Sequence, residues 1–204
     1  MKVDGTVYTL IFSFVIGFVF VFVLAFVNAG TADQISLNQE LAQKRAVLNA
    51  FGIEYATPEE VIAIYDEQVE TVRKGDEEFY RATVDGEPAI AHRFLRNALW
   101  GDVMGVLAVN QDVTRTLGLE IIEHNETPGL GGRIDEPWFK EQFRNEKIEN
   151  GTITVDIRSA GSGDTDHENA TVDAVSGATL TSRYMQDIIT AEIELIRTTL
   201  EANS

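Results

Sequence analysis

Residues 173–182 read "DAVSGATLTS", an acid and four hydroxyls set around a Gly-Ala pair. If a helix starts here, Thr179 stands where unbonded backbone N–H groups and the positive end of the helix dipole converge. That is a setting for an anion such as a phosphate. Gly177 and Ala178 are small enough to let a bulky group approach the backbone. The same residues fit a plain helix entry, the commoner arrangement, in which Thr179, Thr181 or Ser182 caps the helix and Asp173 makes an Asx turn. Residue types alone leave both readings open. Ser176 is not set in a Gly-x-Ser-x-Gly elbow, so it is read as shaping the turn and bonding a phosphate, not as a nucleophile.

Composition narrows the chemistry further. The 204 residues include no cysteine, which removes thiolate nucleophiles, iron–sulfur clusters and Cys-based zinc sites. Redox chemistry would therefore have to be borrowed from a cofactor. A formal net charge of −17 speaks against nucleic acid, whose phosphates must be met by Lys and Arg. His92, His124 and His167 are scattered without ligand spacing. "DTDHEN" (164–169) resembles a calcium loop only loosely, since its sixth position is Asn169 where the sharp turn wants glycine. The tripeptides at Asn125, Asn150 and Asn169 fit the glycosylation pattern, a short one that arises often by chance. No Gly-x-Gly-x-x-Gly follows a strand pattern, so no NAD site is expected.

The elements that must position the motif follow from periodicity. Gly5 to Ala32 carries no charge, and residues 7–27 are apolar almost throughout. At about 1.5 Å per residue that stretch spans a hydrocarbon core of about 30 Å. A cleaved signal peptide is the competing reading, with small residues at Val27 and Ala29. However, the apolar run exceeds the usual 7–15 residues or so and only Lys2 precedes it, so an uncleaved anchor is expected. Lys2 is balanced by Asp4, and the domain is placed outside the cytoplasm because large C-terminal domains cross largely regardless of charge. "QISLNQELAQKRAVLNAFGI" extends the helix with Ile35, Leu37, Leu41, Leu48 and Phe51 near one face and Gly52 as a stop. "TPEE" is a capping box on Thr57 and Glu60, opening a helix with Val61, Ile64, Tyr65, Val69 and Val72 at helical spacing. β-rich runs follow at 78–84, 89–94, 103–110, 114–124 and 152–157, with a helix around "EPWFKEQFRN". A last helix from about Leu180 turns Met185, Ile188, Ile189, Ile196 and Leu200 inward. The expected fold is α+β, an antiparallel-rich sheet with flanking helices, preceded by a single N-terminal transmembrane helix. Its expected division is an anchor over 1–32, a helical connector over 33–75 and a domain over 76–204.

Asp173-Ala174-Val175-Ser176-Gly177-Ala178-Thr179 matches in full the Asp-x-x-Ser/Thr-Gly-Ala-Thr pattern of covalent flavin attachment, and "HNETPGLGGRI" (124–134) resembles the His-x-Glu-Thr-Pro-Gly-Leu-Gly segment of the same proteins. On these two stretches, in the same order, the chain resembles the FMN-binding domain family of respiratory complexes. Its members include the C subunit of the sodium-translocating NADH:quinone oxidoreductase (Nqr) and the G subunit of the Rnf electron-transport complex. "LWGDVMGVLAV" and "WFKEQF" extend the likeness over most of the chain, although "RNALW" lacks the glycines and lysine usual before Leu99 and Trp100.

The resemblance implies FMN held covalently by a phosphoester at Thr179, installed from FAD by a separate magnesium-dependent flavin transferase that reads Asp173. Ser176, Gly177, Ala178, Leu180 and Thr181 would surround the phosphate. Glu126, Thr127, Gly129, Leu130 and Gly131 would line the flavin, with Pro128 fixing the loop; a hairpin loop with ordinary turn residues is the plain alternative. Trp100 would either stack on the ring or belong to the core, and Arg133 would face the phosphate, face the ring or be solvated. The implied function is a membrane-anchored flavoprotein subunit relaying electrons within an ion-translocating complex of Nqr C or Rnf G type. Its implied partners are the other membrane subunits, and its location is the cytoplasmic membrane. An anchored FMN domain of another extracytoplasmic reductase, or a cofactor-free acidic assembly module, are the alternatives.

Overall fold

The computed structural model describes residues 5–202 apart from Asp76 and Ser162. Lys2 and Asp4, on which the orientation argument rests, lie outside the described residues. The chain divides into two compact units, the first running to Glu40 and the second starting at Leu41. The first unit is the N-terminal part of α1 (Gly5–Phe51), whose apolar end is long enough to cross a membrane. Its large side chains from Val7 to Val27 are exposed.

The second unit is built on five antiparallel strands that follow one another in space as in sequence: β1 (Glu70–Lys74), β2 (Glu77–Val84), β3 (Glu87–Asn97), β4 (Asp102–Asn110) and β5 (Thr116–His124). Alternation along each strand sorts side chains onto two faces. One face carries mostly small residues, Ala82, Ala89, Ala91, Val106 and Ala108 with Tyr80. It packs on Ala46–Phe51 of α1 and on Val61 and Tyr65 of α2 (Pro58–Gln68). The opposite face carries Phe79, Ile90, Phe94, Val103 and Leu107. It is covered by α3 (Pro137–Glu141), a parallel pair β6 (Thr154–Ala160) and β7 (Thr171–Ala174), and α4 (Thr179–Glu201).

Local chemistry explains the joints. α1 ends at Gly52, whose φ of 75° lets its N–H bond Asn49 O while Ile53 N–H bonds Leu48 O, a Schellman closure. Asp85 and Gly86, at φ of 52° and 83°, make the tight β2–β3 turn. Two readings of the α2 region are corrected. Thr57 sits at the N-cap without a side-chain bond, and Glu60 instead accepts the N–H of Ala56. α2 stops at Gln68, so Val72 lies in edge strand β1 and not on the helix; β1 pairs with β2 from Glu70↔Arg81 to Lys74↔Glu77, and that ladder overrides the helical spacing. β7, whose last two residues open the hydroxyl motif, was likewise not expected; its four residues are stabilised by pairing with β6.

Candidate functional site at the start of the last helix

α4 begins at Thr179, with Ala178 as N-cap and no side-chain cap. Ala178 N–H bonds Val175 O and Ser182 N–H bonds Ala178 O, whereas the N–H groups of Thr179, Leu180 and Thr181 have no acceptor among the described residues. Three donors thus stand open at the positive end of a 23-residue helix. Capping is not the task of the neighbouring hydroxyls. Ser182 Oγ donates to Ala178 O at 3.0 Å and accepts Val175 N–H at 3.1 Å. Thr181 Oγ donates to Glu126 Oε2 at 2.8 Å. Thr179 and Ser176 are exposed, and Gly177 turns the chain at φ 77°.

A Cβ at Gly177 would lie 3.4 Å from Leu130 Cδ2, so the turn after β5 reaches the start of α4. That turn holds itself through Thr127 O, which accepts the N–H of Leu130 and Gly132, and through Gly129 at φ 73°. It is an ordered turn with an exposed leucine at its tip. Gly131 is required for space: a Cβ there would be 2.5 Å from Thr181 Oγ and 2.6 Å from Glu126 Oε2. Glu126 is buried, and its Oε1 accepts the N–H groups of Leu99 and Trp100 at 2.9 and 3.0 Å. Trp100 is 68% exposed, which excludes the core reading for it. Leu130 and Leu180 are also exposed. Three exposed apolar side chains are therefore borne by the three segments that meet at Glu126 and Gly177.

The remaining predicted residues sit differently. Asp173 is buried in β7, where its Oδ1 accepts the Ser159 hydroxyl. The side chain of Gln142 accepts Asp173 N–H at 2.7 Å and donates to Asp173 O at 3.3 Å, clasping β7 as a neighbouring strand would. Arg133 bonds Glu136 at 3.1 Å and lies over the Trp138 ring at 5.3 Å. The Glu136 carboxyl is held below its ordinary range, first by the Trp138 indole N–H and then by Arg133. His124 Nδ1 accepts the N–H of Glu126 at 3.2 Å, so it serves the turn as an acceptor.

One charged cluster was not anticipated. Buried Glu192 on α4 meets His92 Nδ1 at 2.5 Å and Arg96 Nε at 2.6 Å, and His92 Nε2 faces Glu77 at 3.0 Å. Its sequence signal is a carboxylate on the apolar stripe, four residues after Ile188 and seven after Met185.

Residues 99–194 match the family described as the FMN-binding domain. The C subunit of Na(+)-translocating NADH-quinone reductase from Neisseria meningitidis is 36% identical over 90 residues, 44% of this chain and 34% of that protein. Its counterpart from Pseudomonas aeruginosa is 36% identical over 95 residues, covering 45% of this chain and 36% of that protein. The match thus spans about a third of the curated relatives' length. Among solved structures, NqrC of Shewanella oneidensis superposes with a TM-score of 0.65 at 19% identity, covering 78% of this chain and 96% of that one. The C subunit of the reductase from Parabacteroides distasonis gives 0.58 at 21% identity, over 78% and 92%. Open helix donors, a glycine-made approach and exposed apolar walls suit a flavin phosphate and ring. Residues 99–194 accordingly match the FMN-binding domain family, and the chain shares the fold seen in those two solved structures.

Proposed function

We propose that this chain is a membrane-anchored flavoprotein subunit of an ion-translocating NADH:quinone reductase of the Nqr type, carrying FMN as a phosphoester on Thr179. The observation that carries the reading is the exposed Thr179 hydroxyl at the first position of α4, beside three backbone N–H groups without acceptors among the described residues. In the attachment step the Thr179 Oγ–P bond forms and the bridging P–O bond of FAD breaks. AMP departs with the electron pair and the hydroxyl proton is released, under a separate flavin transferase that binds magnesium. The open N–H groups of α4 hold the phosphate diester in place. Trp100, Leu130 and Leu180 supply apolar surface for the ring, and Gly177 keeps the approach to Thr179 clear. Bound flavin supplies the electron-carrying ring, and the protein attaches and orients it. Asp173 acts from within β7, holding the strand that leads into the motif. α1 holds the domain at the cytoplasmic membrane, on its outer side, among the other membrane subunits of the complex.

Coexpression with a flavin transferase tests the reading. The chain should gain the mass of FMN less one water, on a peptide containing Thr179, and fluoresce in a denaturing gel. Thr179→Ala should abolish the label while Ser182→Ala keeps it. A folded, transferase-treated wild type without flavin, or a fluorescent Thr179→Ala band, would leave a cofactor-free module as the better account. Copurification of Nqr or Rnf subunits separates the two complex types.

A further inference from the structure

Glu126 is 4% exposed, yet among the described residues no lysine or arginine bonds it; its partners are two backbone N–H groups and one hydroxyl. Those three donors belong to segments far apart in sequence. Leu99 and Trp100 lie in the link between β3 and β4, and Thr181 lies on the first turn of α4, two residues past Thr179. Glu126 itself lies in the turn after β5. A carboxylate has about four acceptor sites, and three are occupied inside the protein, which leaves little for a cofactor. The absence of a Cβ at Gly131 allows the knot to close, since that atom would overlap both Thr181 Oγ and Glu126 Oε2.

We propose that Glu126 is a positioning residue: its carboxylate ties the Trp100 link to the first turn of α4 and so sets the wall of the flavin site relative to the attachment hydroxyl. This rests on the reading of Thr179 as the attachment point. The tie is made of bonds of 2.8–3.0 Å to a buried carboxylate, where a charge-assisted bond is stronger than on the surface. Without it, among the described residues, the Trp100 link retains within itself only the Ala98 N–H to Gly101 O bond, at 2.8 Å. Trp100 would then lose its fixed relation to Thr179.

The chemistry of the tie separates shape from charge. In Glu126→Gln the amide oxygen accepts Leu99 and Trp100 N–H, and the amide NH2 donates to Thr181 Oγ once that hydroxyl turns. Glu126→Ala removes every bond. Thr181→Val, of equal size, removes only the helix half. Two readouts apply, neither of them electron transfer. In the flavin-free full chain, amide exchange at Leu99 and Trp100 should be slow in wild type and Glu126→Gln and at least about 10-fold faster in Glu126→Ala, an opening more local than unfolding of β4. In the FMN-labelled chain, visible circular dichroism of the flavin should match wild type in Glu126→Gln and change in Thr181→Val. Thr181→Val carries that test should Glu126→Ala not fold. Wild-type exchange at both amides in Glu126→Ala, or an unchanged flavin dichroism in Thr181→Val, overturns the proposal. If wild type takes no FMN, the attachment reading fails and the flavin role of Glu126 falls with it. A labelled wild type with indifferent variants sinks the Glu126 role alone.

Discussion

At the scale of single residues the glycines of the turn after β5 divide by mechanism. Gly129 has open space around it but a φ of 73°, so Gly129→Ala should cost about 1–2 kcal/mol through left-handed strain and leave the site's shape intact. Gly131→Ala meets two oxygens of the Glu126–Thr181 bond and should instead push α4 away from the turn. Urea unfolding combined with flavin dichroism distinguishes them. Both variants should lose stability, and only Gly131→Ala should alter the dichroism. Equal dichroism in the two would mean that the contact at Gly131 yields without disturbing the site. The hydroxyls show a similar division, since Thr179 is exposed while Thr181 and Ser182 are buried and already bonded.

Two elements carry tests of their own. On β4, Gly105 stands where a Cβ would be 2.5 Å from Glu120 O and 2.6 Å from Phe94 Cζ, at a register shift between β4 and β5. Gly105→Ala should cost about 1–3 kcal/mol by overpacking, read as a lower urea midpoint with an unchanged slope. In the segment after α3, Glu146 is buried, with Oε1 unbonded among the described residues and Oε2 3.3 Å from His167 Nδ1. Burial pushes its carboxyl above the ordinary glutamate value, His167 and the Thr171 N–H oppose that, and Asp164 adds to it. The folded state then holds a proton that the unfolded chain releases more readily, so stability falls as pH climbs from the ordinary value through the raised one. Glu146→Gln lacks that fall. Its stability relative to wild type should rise with pH over this interval, and parallel pH profiles would refute the assignment.

For the whole molecule the boundary near residue 40 is decisive. The full chain should stay with membranes through salt and carbonate washes, because a spanning helix is not held by charge; an N-terminal sequence starting at Gly30 in the mature protein would contradict an uncleaved anchor. A chain starting at Leu41 should be soluble and take FMN as the full chain does, since it keeps Ala46–Phe51 in the core. A chain starting at Gly52 removes five buried apolar residues from the α1 face of the sheet and should fail to fold, at about 1.5–3 kcal/mol for each large side chain lost. Thermal denaturation of the two truncations checks the difference. Comparable transitions would show that the end of α1 is dispensable.

Local signals were enough for much of this protein. The apolar run, the Gly52 stop, the alternating strands and the inward stripe of α4 all depend on neighbours within a few residues, so periodicity and turn chemistry expose them. The stretch at 173–179 could be nominated for the same reason, being continuous in sequence. Val72 and β7 were not legible, because short segments take their form from the strand beside them. Nor was the role of Glu126 visible: its partners lie 27, 26 and 55 residues away, and two of them are backbone N–H groups that any residue type carries. Residue types could nominate the hydroxyl at Thr179. Only the packing of the β3–β4 link and the turn after β5 against α4 decided which groups stand around it, because a buried carboxylate takes its donors from wherever the fold brings them.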